Sequence, residues 1–183
     1  RVQTCALPIL RRELGIRTVF NILGPLTNPA QANCQVLGVP TVELAEKMAH
    51  VLARLGLRHS LVVSGAEGLD EISVSGPTTA YEVRGAEVTT REITPNELGL
   101  RTHALSEVVG GTPQENADTM RRIFTGAGAE AVRDFVAANA GAGLYVLGLA
   151  ASLRQGVEQA KTVMDNGDAA ARLGAFVEAT RRA

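Results

Sequence analysis

Two adjacent carboxylates offer the clearest chemistry in the sequence. Asp70 and Glu71 stand a few residues beyond Ser60–Val63, a short apolar run that is typical of a buried strand. In open parallel sheets, ligands bind outside the carboxyl ends of the strands. Carboxylate oxygens suit Mg²⁺, which often keeps water and substrate phosphates as its other ligands. Because neighbouring side chains of an extended segment point in opposite directions, sharing one ion requires a bend here, and the alternative is a solvated acidic loop.

A possible carboxylate-binding residue lies near the start of the chain. Arg11 precedes the turn-rich segment GPLTNP, residues 24–29. An arginine can hold a carboxylate through two parallel hydrogen bonds, although many surface arginines are only solvated. The prolines after Gly24 and Asn28 are typical of a turn, and the apolar surroundings would suit a flat, mostly hydrophobic substrate.

Other polar motifs give weaker signals. The segment Gly110–Thr112 precedes a predicted helix, but no lysine follows it as in a nucleotide-binding P-loop, so the start of a helix explains it better. His50, His59 and His103 show no spacing typical of metal ligands. Cys34 is predicted to be a core residue. The spacings assign no catalytic nucleophile, acid or base.

The elements that must position these residues follow an α/β order. A strand over Gln35–Val39, a helix that begins after Thr41 and a strand over Ser60–Val63 predict a βαβ unit with parallel strands. Two runs that alternate apolar and polar residues, Thr79–Val83 and Val88–Ile93, predict an antiparallel hairpin.

The second half of the chain has helical patterns. Helix starts are predicted at Thr94–Glu97 and Thr112–Glu115, where a capping residue, a proline and an acidic residue follow in order. Three more helices are predicted around residues 129–149, 152–164 and 169–180. The small residues of Ala137–Gly143 are expected to be buried. The predicted fold class is α/β, with a mostly parallel sheet, flanking helices and a helical C-terminal layer.

Composition excludes several classes of protein. The 18 Lys and Arg residues against 19 Asp and Glu leave a net charge of -1, and only 3% of the residues are aromatic, which argues against a nucleic-acid-binding module. No apolar run approaches the roughly 20 residues that span a bilayer. The two cysteines, Cys5 and Cys34, cannot form a disulfide framework, so a cytoplasmic protein is expected.

Three segments together resemble anthranilate phosphoribosyltransferases, members of glycosyltransferase family 3. The long, specific one is LGIRTVFNILGPLTNPA, residues 14–30; the shorter ones are LDEIS, residues 69–73, and Gly110-Gly111 followed by Glu115-Asn116-Ala117. The resemblance runs from about Leu10 to the C-terminus. It implies an enzyme of tryptophan biosynthesis that transfers phosphoribosyl from phosphoribosyl pyrophosphate to anthranilate.

The resemblance also implies site residues. Arg11, Gly24 and Pro25 match the family's anthranilate-binding positions, and Asp70 and Glu71 match its Mg²⁺-binding acidic pair. The runner-up families are pyrimidine nucleoside phosphorylases, which share the general fold, and a non-catalytic relative that binds nucleic acid.

The sequence departs from the family at its start. The family's glycine-rich GTGGD loop and its KHGNR-type segment do not occur here, and RVQTCALPI, residues 1–9, does not match the family before Arg11. We interpret residues 1–9 as a lead-in that resembles translated library-adapter sequence, and residues 10–183 as the C-terminal part of the catalytic domain, truncated at its N-terminus. The isolated chain is therefore expected to be inactive and poorly soluble, and the homodimer expected of the complete protein does not extend to it.

Overall fold

A sheet of four strands forms the centre of the structure, a computed structural model that describes residues 32–182 and Leu26. The strands lie side by side in chain order: β1 (Cys34–Gly38), β2 (His59–Gly65), β3 (Thr78–Arg84) and β4 (Glu87–Ile93). β1 and β2 are parallel, whereas β2–β3 and β3–β4 are antiparallel.

The predicted α/β class is confirmed, but the expectation of a mostly parallel sheet needs correction for the described strands. The predicted βαβ unit is present, because helix α1 (Val42–Arg54) crosses from β1 to the parallel strand β2. β3 and β4 are joined by the two residues Gly85 and Ala86, and so short a connection permits only antiparallel pairing. No helix lies between β2 and β3, and these strands are also antiparallel.

The C-terminal helical layer is confirmed, and its helices follow the predicted ranges closely. They are α2 (Pro113–Ile123), α3 (Glu130–Leu147), α4 (Leu153–Asp165) and α5 (Asp168–Arg182). Among residues 32–182, no helix is long and apolar enough to cross a membrane.

The helix predicted to start at Thr94 is only a turn. The Thr94 hydroxyl accepts a hydrogen bond from the Glu97 amide at 3.3 Å, as a helix cap does. Gly99 then adopts a positive φ of 75°, which ends the turn after one cycle. The capping signal was correct, but no periodic apolar face follows it to stabilise a helix.

Helices cover both faces of the sheet. Every residue of β2 is buried. Leu61 and Val63 belong to one core cluster with the helical residues Ala138 and Val157, while the intervening Val62 points to the other face. α1 contacts β2 and β3, and α3 contacts β1 and β2. A strand that is buried on both faces typically has a continuous apolar run in its sequence, as β2 does over Leu61–Val63.

Small residues let α3 and α4 cross in close contact. A Cβ atom placed on Gly141 would lie 2.5 Å from the Val157 backbone nitrogen, and one on Gly156 would overlap the Gly141 carbonyl oxygen. The predicted burial of the Ala137–Gly143 segment is confirmed at Ala137, Ala138, Gly141 and Ala142.

A polar network ties α3 to the sheet at the end opposite the acidic pair. The Glu82 carboxylate accepts hydrogen bonds from the Tyr145 hydroxyl at 2.8 Å and from His59 Nε2 at 2.8 Å, and it pairs with Arg84 at 2.7 Å. Burial alone would raise the pKa of Glu82, but the bonds from Tyr145 and His59 and the charge of Arg84 together lower it below its usual value. Two members of this network, His59 and Glu82, are buried.

Two glycines of α3 provide a matched test of the helix crossing. Gly141→Ala is expected to destabilise the chain by about 1–3 kcal/mol, because the added methyl group meets the α4 backbone. Gly143→Ala places its methyl group in open space and is expected to stabilise the chain by about 0.5–1 kcal/mol. Urea unfolding of both variants measures the difference, and equal effects would contradict this account of the crossing.

The Glu82 network predicts a pH dependence of stability. Since the pKa of Glu82 is lowered in the folded chain, the unfolded chain binds more protons between the two pKa values, and the stabilisation is lost as pH falls below about 4.3. Urea unfolding at pH 7 and in steps down to pH 3 should show a steeper loss for the unaltered chain than for Glu82→Gln, which has no carboxylate to protonate. Parallel curves would contradict the prediction.

Candidate functional site

The acidic pair lies directly beyond the carboxyl end of β2, at a tight turn. The Gly65 amide donates to the Leu69 carbonyl at 2.9 Å, and the Gly68 amide donates to the Gly65 carbonyl at 3.0 Å. Gly68 has a φ of 81°, a conformation that favours glycine. The turn folds the chain back across the end of β2, so that Asp70 follows at the edge of the sheet.

The end of β1 also contacts this segment. A Cβ atom on Gly38 would overlap the Asp70 carbonyl oxygen, so only a glycine permits the observed approach of the two backbones. Gly38 is the last residue of β1. The pair therefore lies at the carboxyl ends of two adjacent parallel strands, which is the edge predicted from the sequence.

Both residues of the pair border one cavity, and their carboxyl groups are close enough to interact. Asp70 is exposed and Glu71 is half-buried. Burial, the charge of Asp70 and a hydrogen bond with the Asp70 carboxyl all raise the pKa of Glu71. Two carboxylates this close repel each other, so a shared proton or a cation would stabilise them.

The chemistry of the pair fits a hard cation with other ligands from outside the protein. Among the described residues, no group of three or more His, Cys, Asp or Glu side chains comes together to hold a metal ion. Two carboxylates supply only part of an octahedral shell, and Mg²⁺ commonly completes it with water and substrate phosphates.

The pair borders a cavity of about 880 Å³. The opposite walls come from the chain before α2, from α2 itself and from the start of α3. Their side chains are largely apolar, among them Val108, Phe135 and Val136. Two further carboxylates, Glu107 and Glu115, line the cavity as well. The arrangement places carboxylate oxygens on both sides of a space large enough for a small-molecule ligand.

The start of α2 uses its own side chains to satisfy its backbone. The Glu115 carboxylate accepts from the Thr112 amide at 2.7 Å, and the Asn116 side-chain oxygen accepts from the Gly111 amide at 2.8 Å. Hydrogen bonds from the Thr112 hydroxyl and amide lower the pKa of Glu115. These amides already have partners, which supports the interpretation of Gly110–Thr112 as a helix start and not as a phosphate-binding loop.

Comparison with known proteins decides the family. The sequence model of the glycosyl transferase family, a/b domain, matches residues 5–170. The chain belongs to this family. The helices, sheet and cavity described above are thus those of a glycosyl transferase α/β domain.

Several similar curated relatives are anthranilate phosphoribosyltransferases. An anthranilate phosphoribosyltransferase of Haloferax volcanii is 49% identical over 169 residues, which are 92% of this chain and 51% of the relative. One of Pelotomaculum thermopropionicum is 51% identical over 170 residues, or 93% of this chain and 49% of the relative. The chain spans about half the length of the curated relatives it matches.

Solved structures agree. The anthranilate phosphoribosyltransferase of Thermus thermophilus matches 92% of this chain and 49% of its own, with a TM-score of 0.83 and 43% identity. The Saccharomyces cerevisiae enzyme, in complex with PRPP and Mg, matches 97% of this chain and 51% of its own, with a TM-score of 0.84 and 29% identity.

The described residues include only part of the site predicted for this glycosyl transferase domain. Asp70 and Glu71 lie side by side, as described above. Arg11, Gly24 and Pro25 lie outside the described residues.

Within residues 32–182, the three histidines do not come together with other side chains as metal ligands. His50 is exposed on α1, His59 belongs to the Glu82 network, and His103 pairs with Asp134 at 2.9 Å. Cys34, predicted to be a core residue, is half-buried and packs against the core cluster, and its sulfur accepts from the Arg58 guanidinium at 3.1 Å.

The sequence reasoning missed Asn139 of the glycosyl transferase domain. Its carboxamide binds the backbone of Ile72, the residue after Glu71, through two hydrogen bonds. The available signal was a single amide side chain in the middle of the Ala- and Gly-rich segment 137–143. A polar side chain at such a position needs a hydrogen-bonding partner, but the sequence does not show which one.

Substitution of Gly38 tests the contact between β1 and the acidic loop. Gly38→Ala is expected to shift the loop and to destabilise the chain by about 1–3 kcal/mol, because the methyl group cannot fit beside the Asp70 carbonyl. The amide NMR signals of residues 69–72 should move. Gly174→Ala, a helical glycine whose Cβ would meet nothing, is the control and should leave those signals in place. Unchanged signals in both variants would contradict the contact.

Proposed function

We propose that this chain is the C-terminal part of the catalytic domain of an anthranilate phosphoribosyltransferase, a cytoplasmic enzyme of tryptophan biosynthesis. In this proposal residues 10–183 belong to the domain, and the complete enzyme is a homodimer. The names of the relatives and their similarity over 92% or more of the chain support the assignment. The same names do not favour a nucleoside phosphorylase or a nucleic-acid-binding protein.

The observation that carries the proposal is the position of the acidic pair. Asp70 and Glu71 lie together at the carboxyl edge of the parallel strands and border the cavity. Their like charges favour a cation between them. We propose that they hold Mg²⁺, in keeping with the yeast relative that was solved in complex with PRPP and Mg.

The reaction would be a substitution at the sugar. The nitrogen lone pair of anthranilate forms a bond to the ribose carbon while the bond from that carbon to the pyrophosphate oxygen breaks, and its electrons leave with pyrophosphate. The amine nitrogen then gives up one proton. Positive charge develops on the sugar as the leaving group departs, and bound Mg²⁺ would offset the negative charge of pyrophosphate.

The chain's own residues would bind and orient. Asp70 and Glu71 would fix the position of the cation, and the apolar side chains of Val108 and Phe135 would limit access of water to the sugar carbon. Arg11 would bind the anthranilate carboxylate, with Gly24 and Pro25 beside the ring. Because the amine of anthranilate is already a nucleophile, positioning matters more than a strong base.

Activity of the complete protein tests the proposal. The product of the entire reading frame that encodes this chain should release pyrophosphate from phosphoribosyl pyrophosphate only when anthranilate and Mg²⁺ are present. Glu71→Gln is expected to lower kcat/KM by about 100-fold or more, since charge stabilisation at the leaving group is lost. Glu92→Gln makes the same chemical change at an exposed position of β4 and serves as the control.

Competition between substrates separates this proposal from the related activity. Release of pyrophosphate should depend on anthranilate and should not be inhibited by pyrimidine nucleosides. Phosphate-dependent cleavage of a pyrimidine nucleoside, with no reaction of anthranilate, would overturn the proposal in favour of a nucleoside phosphorylase.

A further inference from the structure

We propose that Asn139 is a positioning residue for the acidic pair, and that it holds Asp70 and Glu71 in the arrangement that binds the cation. This inference rests on the metal-binding role in the proposed function. Asn139 does not itself face the pair as a ligand; it acts through the backbone of the next residue, Ile72.

Both the oxygen and the nitrogen of the Asn139 carboxamide form hydrogen bonds. Its oxygen accepts from the Ile72 amide at 2.8 Å, and its nitrogen donates to the Ile72 carbonyl at 3.1 Å. The same nitrogen donates to the Phe135 carbonyl, one turn earlier in α3, at 3.0 Å. The two bonds to Ile72 fix both polar groups of one residue at once, so they define the direction of the backbone as well as its position.

Ile72 transmits this constraint to Glu71. The Ile72 side chain is fully buried, so the chain cannot rotate at this point without exposing it. On the other side of the pair, the Asp70 backbone lies against Gly38. The two carboxylates thus belong to a short segment that is held at both ends, one end by β1 and the other by α3.

The electrostatics of the pair require such a constraint. Asp70 and Glu71 are consecutive in the chain and border the same cavity, so their ionised carboxylates repel each other. A segment with a free backbone would turn one carboxylate away. Asn139 opposes this movement, which keeps both carboxylates directed to a common position before a cation arrives.

The surrounding helix has no need of an asparagine for its own stability. Its neighbours Ala137, Ala138 and Ala142 are buried small residues, and alanine is the better helix former at such a position. The amide therefore contributes through its hydrogen bonds, two of which go to Ile72, and not through helix propensity.

A second connection holds the same segment, so loss of Asn139 need not unfold it. The His103 amide donates to the Val74 carbonyl at 2.9 Å, and His103 Nε2 pairs with Asp134 of α3 at 2.9 Å. Lys161 of α4 approaches the other Asp134 oxygen at 2.7 Å. These contacts remain in an Asn139 variant.

Binding of Mn²⁺ to the complete protein, expressed from the entire reading frame that encodes this chain, tests the inference without any enzyme assay. Mn²⁺ is paramagnetic and broadens the NMR signals of nearby amides. In the unaltered chain, titration with MnCl₂ should selectively broaden the amides of residues 69–72. In Asn139→Ala the concentration that gives half-maximal broadening should rise about 10-fold or more, the effect typical of residues that orient metal ligands.

Tyr145→Phe is the matched control. It removes a hydrogen bond between the same helix and the sheet, at the opposite end from the acidic pair. Tyr145→Phe should lower stability in urea unfolding and leave the Mn²⁺ response unchanged. If Asn139 acted only through overall stability, the two variants would change the Mn²⁺ response alike. If Asn139→Ala fails to fold, Asn139→Leu, which is close in size and lacks the hydrogen bonds, takes its place with the same expected rise.

The outcomes separate the two proposals. A folded Asn139 variant that binds Mn²⁺ as tightly as the unaltered chain overturns the positioning role alone. If the unaltered chain shows no selective broadening at residues 69–72, the metal-binding role of Asp70 and Glu71 fails, and the positioning role fails with it.

Discussion

The close packing of α3 between the sheet and α4 is the constraint on which the described structure depends. Gly141 and Gly156 bring the two helix backbones together, and alanines of α3 lie within the core cluster. This packing fixes the positions from which three polar side chains reach out. Tyr145 contacts Glu82 on the sheet, Asp134 contacts His103, and Asn139 contacts the backbone beside the acidic pair. One helix thereby supports both ends of the sheet.

At the candidate site, electrostatic repulsion within the acidic pair is opposed by contacts that hold the segment in place. Burial of Glu71 and its position beside Asp70 both cost electrostatic free energy, as the raised pKa of Glu71 indicates. The Gly68 turn, the contact with Gly38 and the hydrogen bonds of Asn139 hold the segment in place despite this repulsion. Local strain or repulsion that the surrounding fold maintains is typical of binding sites, where it favours the ligand that relieves it.

Several elements could be predicted because their signals are local. The apolar spacing of α1 and the capping box of α2 specify these helices within a few residues of chain. The two-residue connection at Gly85 specifies a hairpin. The mostly parallel sheet was wrong for the described strands, because the partner of each strand is a long-range choice that strand periodicity does not encode. The turn at Thr94 shows the same limit, since a cap without a packed face does not make a helix.

The sequence by itself determined the βαβ unit, the helical C-terminal layer and the position of Asp70 and Glu71 just beyond a buried strand. The resemblance of the chain to a family also came from the sequence alone, through the order of residues in three segments. Only the tertiary structure decided that both residues of the pair border one cavity, that Gly38 must admit the Asp70 backbone, and that Asn139 holds the next residue. The physical reason is sequence separation. Asn139 and Ile72 are 67 positions apart, and hydrogen bonds between such residues depend on how whole elements pack.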